Sequence, residues 1–138
     1  MGDSKPNRPV PKANTYLPTQ AFWDAAKNGK LVLQRCTQTG KYQHPPRPVS
    51  VYTGRRTLEW HEVDGHGTIY GHTVVRIASP DLEGRIPLCC AMVELDEGVR
   101  IIGNVLECSP EDLKIGRRVR LAWDKLNDDV NYPAFQLA

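Results

Sequence analysis

Two short stretches of this 138-residue chain share one spacing: Cys36-x2-Thr39 followed by Gly40, and Ser50-x2-Thr53 followed by Gly54. A structural zinc ribbon puts one pair of ligands in each of two such turns, usually as C-x2-C. Here three of the four ligand positions are hydroxyls. Neutral hydroxyls are poor zinc donors, because these sites draw their affinity from thiolates and imidazoles. His44, between the turns, raises the number of suitable donors only to two. The expectation is a metal-free pair of turns in which Cys36, Thr39, Ser50 and Thr53 still converge. Their hydroxyls would bond one another and the turn amides, each bond contributing roughly 1 kcal/mol net. Pro45, Pro46 and Pro48 lower the entropy of the unfolded loop between the turns.

Other reactive residues are arranged less suggestively. Cys89 and Cys90 are adjacent in the apolar run "RIPLCCAMVEL", where they would point to opposite faces of a strand and serve as small core groups. His61, His66 and His72 straddle the bend Gly65–Gly67 without a helical metal-binding pattern. No glycine-rich phosphate loop, nucleophile elbow or paired-carboxylate arrangement is present. Net charge is +2 with 7% aromatic residues, which disfavours nucleic acid as the partner. There is no run of 18 apolar residues and no charged-then-apolar leader, so neither a membrane span nor secretion is expected. Four cysteines without framework spacing suit reduced thiols in the cytoplasm.

The elements that must position these residues follow from local pattern. Residues 1–17 hold three prolines and little to bury and form an arm. Thr19 caps a short helix to about Lys27, stopped at Asn28–Gly29. Phe22 and Trp23 are side by side and cannot both face one core, so this helix is expected to meet a second surface. Residues 18–56 form the helix and ribbon turns; residues 57–138 form a barrel. Its strands are "TLEWHEV", "GHGTIYGHTVVRI", the apolar run, "VRIIGNVL" after a tight turn at Asp96–Gly98, and "RRVRLAW". A one-turn helix at "SPEDLKIG", with Pro110 in its first turn, precedes "RRVRLAW", and "YPAFQLA" follows as a short edge-like segment. The expected fold class is mainly β: a helix and ribbon followed by a small OB-fold barrel, with an SH3-like barrel as the alternative.

The segments "FWDAAKNGKLVLQRC", "GKYQHPPRP" and "LEWHEVDGHGTIYGHTVV" occur in that order and register. Over residues 19–125 the chain resembles a bacterial and archaeal family with a rubredoxin-like zinc ribbon followed by an OB-fold. The resemblance implies a non-catalytic accessory subunit that binds and completes a thiolase or thiolase-like aldolase acting on carbon–carbon bonds of an acyl-CoA, as a hetero-oligomer, and helps to hold the acyl-CoA. The alternatives are partnership with a hot-dog-class hydratase, or an OB-fold that binds single-stranded nucleic acid. The family's cysteine positions map to Cys36, Thr39, Ser50 and Thr53, so its zinc does not carry over and this chain is expected to bind no cofactor itself. The expected partner interface is Phe22, Trp23, Tyr42, Pro46 and Arg47. Arg117, Arg118 and Arg120 are the expected contacts for coenzyme A phosphates.

Overall fold

A computed structural model describes residues 17–77, 80–125 and 130–138. The expected arm lies outside these residues, save for Leu17. Helix α1 (Leu17–Lys27) begins before Thr19, so Thr19 sits inside its first turn rather than capping it; Pro18 fits there because first-turn amides need no helical partner. Gly29, at φ +72°, ends the helix as anticipated, its N–H donating to the Ala26 carbonyl at 2.9 Å.

Strands β1 (Leu31–Cys36), β2 (Tyr42–Gln43) and β3 (Leu58–Val63) form an antiparallel sheet in the order β2-β1-β3. Leu31 lies opposite Val63 and Cys36 opposite Leu58. This corrects the boundary expected at residues 56/57: "LEWHEV" pairs with the ribbon along its whole length. Its edge position explains the weak alternation, since only Val63 of its six residues is buried.

The barrel comprises β4 (Gly67–Val75), β5 (Leu88–Leu95), β6 (Arg100–Asn104), β7 (Arg118–Lys125) and β8 (Asn131–Leu137), in the order β6-β5-β4-β7-β8. It closes where Val105 meets Phe135 in parallel, with the Leu106 N–H on the Phe135 carbonyl at 2.8 Å. Five strands closed in this manner are an OB-fold, and the short 3-10 turn Pro110–Asp112 stands before β7 as expected. Alternation puts Cys89, Ala91, Val93 and Leu95 inside on β5, around the fully buried Phe135.

Ribbon and barrel share one core. Phe22, Leu31 and Leu33 belong to the same buried cluster as Ile69, Val93 and Phe135. The adjacent rings on α1 are both used within the chain. Phe22 is buried against His44 of the ribbon loop at 5.6 Å, and Trp23 stands edge-on to Tyr132 of β8 at 5.4 Å. Asn131 Nδ2 donates to the Ala26 carbonyl at 2.9 Å, fastening the end of the helix to the barrel.

Gly65 makes the bend between the two units at φ +77°, and a Cβ there would lie 2.5 Å from Leu121 Cβ. Gly65→Ala is expected to destabilise the chain by roughly 1–3 kcal/mol through backbone strain and overpacking. Urea unfolding measures this; an unchanged midpoint would contradict the packing at this bend.

Candidate functional site

The two ribbon turns are built from the same set of hydrogen bonds. In the first, the Cys36 carbonyl accepts from the Gly40 N–H at 2.8 Å, and the Cys36 N–H donates to the Lys41 carbonyl at 2.8 Å. In the second, the Ser50 carbonyl accepts from the Gly54 N–H at 2.8 Å, and the Ser50 N–H donates to the Arg55 carbonyl at 2.9 Å. Gly40 and Gly54 take matching positive φ values, 71° and 69°, which a side chain would resist. Thr39 Oγ1 accepts from the Lys41 N–H at 3.3 Å and Thr53 Oγ1 from the Arg55 N–H at 3.1 Å, two residues ahead in each case. Ser50 Oγ likewise accepts from the Tyr52 N–H at 3.1 Å.

The four positions converge. Cys36 and Ser50 are both wholly buried, the Cys36 thiol is hydrogen-bonded with Thr57 Oγ1, and the hydroxyls of Ser50 and Thr39 also stabilise its thiolate. Those hydroxyls outweigh the burial and hold the Cys36 pKa down to about 6, with the Ser50 hydroxyl the largest cause. Thr57 is the residue that spacing did not indicate. It lies just before β3, 3.5 Å from Cys36 Sγ and 2.8 Å from Thr53 Oγ1, and links the two turns. This donor set, one thiol among hydroxyls, does not fit zinc. His44 adds no ligand, because its ring packs on Phe22, where burial pushes its pKa down.

A pair of buried glutamines fixes the intervening loop. Gln34 Nε2 donates to the Arg47 carbonyl and Gln34 Oε1 accepts the Arg47 N–H, both at 2.8 Å, as a neighbouring strand would. Gln43 Nε2 donates to Gln34 Oε1 at 3.0 Å and to the Val49 carbonyl at 3.1 Å, while its Oε1 accepts the Val51 N–H at 2.8 Å. Side-chain amides thus satisfy loop backbone that no strand reaches.

The expected interface residues separate by exposure. Phe22 and Pro46 are buried, Trp23 and Tyr42 half-buried, and Arg47 exposed. Phe22 and Pro46 are thus largely covered within this chain, while Trp23, Tyr42 and Arg47 leave more of their surface open. The second turn instead presents Val51, Tyr52, Arg55 and Arg56, with Lys41 Nζ 5.4 Å from the Tyr52 ring centre. The arginines of β7 and the residue before it form no open phosphate clamp. Arg118 makes a bidentate bond to Asp96 at 2.7 and 2.9 Å, Arg117 donates to the Asp112 carbonyl at 3.4 Å, and Arg120 to Gln136 Oε1 at 3.4 Å. Spacing alone could not reveal the Asp96 partner, which lies across the sheet.

Nor do the other cysteines and histidines assemble a reactive group. Cys89 donates to the Cys108 carbonyl, burial raises its pKa, and burial pushes Cys108 up to about 11. His61 pairs with Glu59 at 2.7 Å. Among the described residues, no three His, Cys, Asp or Glu side chains gather where they could hold a metal.

Two depressions follow the seam between ribbon and barrel, each of about 400 Å³. One lies among α1, the loop at His44–Pro46 and β6; the other lies between the second turn and the hairpin at Gly98–Arg100.

Restoring thiolates is a direct test of convergence. The variant Thr39→Cys/Ser50→Cys/Thr53→Cys is expected to take up about one zinc per chain and to melt at a higher temperature. Failure of the folded variant to bind zinc would show that these side chains do not meet. The lowered Cys36 pKa also sets a pH dependence. Between about pH 6 and the ordinary thiol value of 9.0, the unfolded chain binds more protons at this residue. The stability it contributes is complete above 9.0 and lost as pH falls through about 6. The advantage of the wild type over Cys36→Ser in urea unfolding should therefore grow from pH 6 to pH 9; a pH-independent difference would contradict the lowered pKa.

Comparison with known proteins agrees with this architecture. Residues 23–49 match the family described as "ChsH2, rubredoxin-like zinc ribbon domain", and residues 60–124 match "ChsH2, C-terminal OB-fold domain". A Methanocaldococcus jannaschii "DUF35 domain-containing scaffold protein" is 35% identical over 100 residues, 72% of this chain and 71% of that protein. A Thermomonospora curvata "Probable enoyl-CoA hydratase alpha subunit" is 33% identical over 132 residues, 95% of this chain, which spans only 40% of its length. Among solved structures, a chain of the "Ltp2-ChsH2(DUF35) aldolase" superposes with a TM-score of 0.82 at 30% identity, covering 93% of this chain and 98% of that one. With relatives matched across both units, this chain belongs to the ChsH2 (DUF35) family of ribbon-plus-OB-fold proteins.

Proposed function

We propose that this chain is a non-catalytic accessory subunit, a scaffold that binds and completes an acyl-CoA enzyme of the thiolase class, either a thiolase or a thiolase-like aldolase. The observation that carries the reading is near-complete structural correspondence with the ChsH2(DUF35) chain of an aldolase named with its Ltp2 partner. A second reading, partnership with a hydratase, is favoured by the relative named as an enoyl-CoA hydratase alpha subunit. Both make the chain one part of a hetero-oligomer and leave carbon–carbon or hydration chemistry to the partner.

The chemistry of the chain supports an accessory role. Its two barrel thiols with raised pKa values are kept protonated, and its one low-pKa thiol is sealed from solvent. The ribbon works without zinc, with hydroxyls and glutamines fixing the turns. The docking face is the second turn, where Val51 and Tyr52 offer apolar contact and Arg47, Arg55 and Arg56 offer charge. All four cysteines are free, as suits the cytoplasm, and among the described residues no helix is long and apolar enough to cross a membrane.

Co-expression with candidate thiolase, aldolase and hydratase subunits tests the proposal. The expected result is a stable complex with one class and acyl-CoA turnover only when both chains are present. Arg55→Glu/Arg56→Glu should weaken assembly at least tenfold while the barrel stays folded, because both side chains are exposed. Robust turnover by the isolated chain would overturn the accessory role, and retention on single-stranded DNA with a steep salt dependence would favour nucleic acid instead.

A further inference from the structure

We propose that the open edge of β3 is a self-complementary surface that joins two copies of this chain, strand to strand, about a two-fold axis at Trp60. The ladder of the ribbon sheet fixes which backbone groups face that edge. The Thr37 N–H donates to the Thr57 carbonyl at 2.8 Å, in the same register that sets Arg35 opposite Glu59 and Leu33 opposite His61. In an antiparallel pair the bonded positions recur at every second residue. Glu59, His61 and Val63 therefore turn their N–H and C=O groups toward β1, while Leu58, Trp60 and Glu62 turn theirs away from it. The far side of β1 agrees: the Cys36 N–H donates to the Lys41 carbonyl, on the β2 side, in the register of that pair. β3 ends its sheet, and among the described residues no strand pairs with its outer side.

An edge of this kind accepts a further strand unless something blunts it. Between Leu58 and Val63 there is no proline and no lysine, and the pairing with β1 runs without a bulge. Trp60 is 36% exposed at the middle of the edge. The only charges are two exposed glutamates, Glu59 and Glu62. They select among incoming strands, because a carboxylate directly opposite another is destabilising.

β3 satisfies that condition against itself in one register. With Trp60 opposite its own copy, Leu58 faces Glu62 and Glu59 faces His61, each twice by symmetry. Glu59 and His61 then form the closer, non-hydrogen-bonded pairs. Imidazole and carboxylate suit one another there, as they already do within the strand at 2.7 Å. Arg35, 3.8 Å from Glu59 on the neighbouring strand, adds a cation on the same face. Beyond the strand, the register carries the exposed Arg56 toward the exposed Asp64 of the second copy. Shifting the axis to Glu59 would set that carboxylate against its own copy, and shifting it to His61 would set imidazole against imidazole. The Trp60 register also places two indoles side by side on one face, a favourable cross-strand contact. Two three-stranded ribbon sheets thereby become one continuous sheet.

Such a contact is small, so the dimer is expected to be reversible in the micromolar range. Sedimentation velocity on the isolated full chain, from about 1 to about 200 μM, should show a monomer–dimer equilibrium. Trp60→Lys puts two ammonium groups opposite each other at the axis and should weaken the dimer at least tenfold. Circular dichroism checks that the variant keeps its fold. The register is tested by mixing a Glu59→Cys chain with a His61→Cys chain under mild oxidation with diamide, the wild type serving as control. Disulfide-linked dimers should form in the mixture, where Cα atoms come within reach, and not from either variant alone, where they stand farther apart than about 7 Å. A chain monomeric at every concentration, a dimer indifferent to Trp60→Lys, or cross-linking of the single variants as readily as of the mixture would overturn the proposal.

Discussion

The position of everything on the ribbon side depends on how a turn designed around a metal holds its shape with hydroxyls. Thr39, Thr53 and Thr57 gather around the wholly buried Cys36 and Ser50 in a cluster whose hydroxyls and single thiol hydrogen-bond one another. Zinc in such a site supplies folding energy through a few strong bonds. Here the constraint is spread over many weak ones. The turn amides supply part, and the Gln34–Gln43 pair supplies the rest by standing in for a missing strand along residues 47–51. A network of this sort resists change only when every member is satisfied.

That constraint carries outward into the fold. With the turns fixed, the loop at His44–Pro46 lies over α1, and Phe22 closes against it. Trp23, one residue on and edge-on to the Phe22 ring, reaches Tyr132 of the barrel. The helix is therefore a wedge between two units that share a single core. The seam they leave is lined from both sides, so its shape depends on the ribbon as much as on the barrel.

Much of this was legible in the residues, for reasons that can be named. The turn glycines, the helix stop at Gly29, the hairpin at Gly98 and the apolar run of β5 are local signals, and each led to the right element. What was missed depends on contacts distant in sequence. Thr57 joins the cluster only because β3 returns beside β1, and "LEWHEV" shows no sign of whether it pairs with ribbon or barrel. Adjacent Phe22 and Trp23 implied a second surface, yet their rings meet edge to face and both pack on the one shared core. Arg118 looked like an open cation until the sheet brought Asp96 beside it. The spacing of Gln34 and Gln43 carries no signal at all, since any pair of polar residues at a strand and its return would read the same.

The central claim is that hydrogen bonds alone keep the two turns in ribbon geometry. Hydrogen exchange on protein stripped of metal by a chelator tests it most directly, amide by amide. The account predicts strong protection at Gly40, Arg47, Val51 and Gly54, unchanged by adding zinc. Rapid exchange at those amides, with protection appearing only when zinc is supplied, would contradict it.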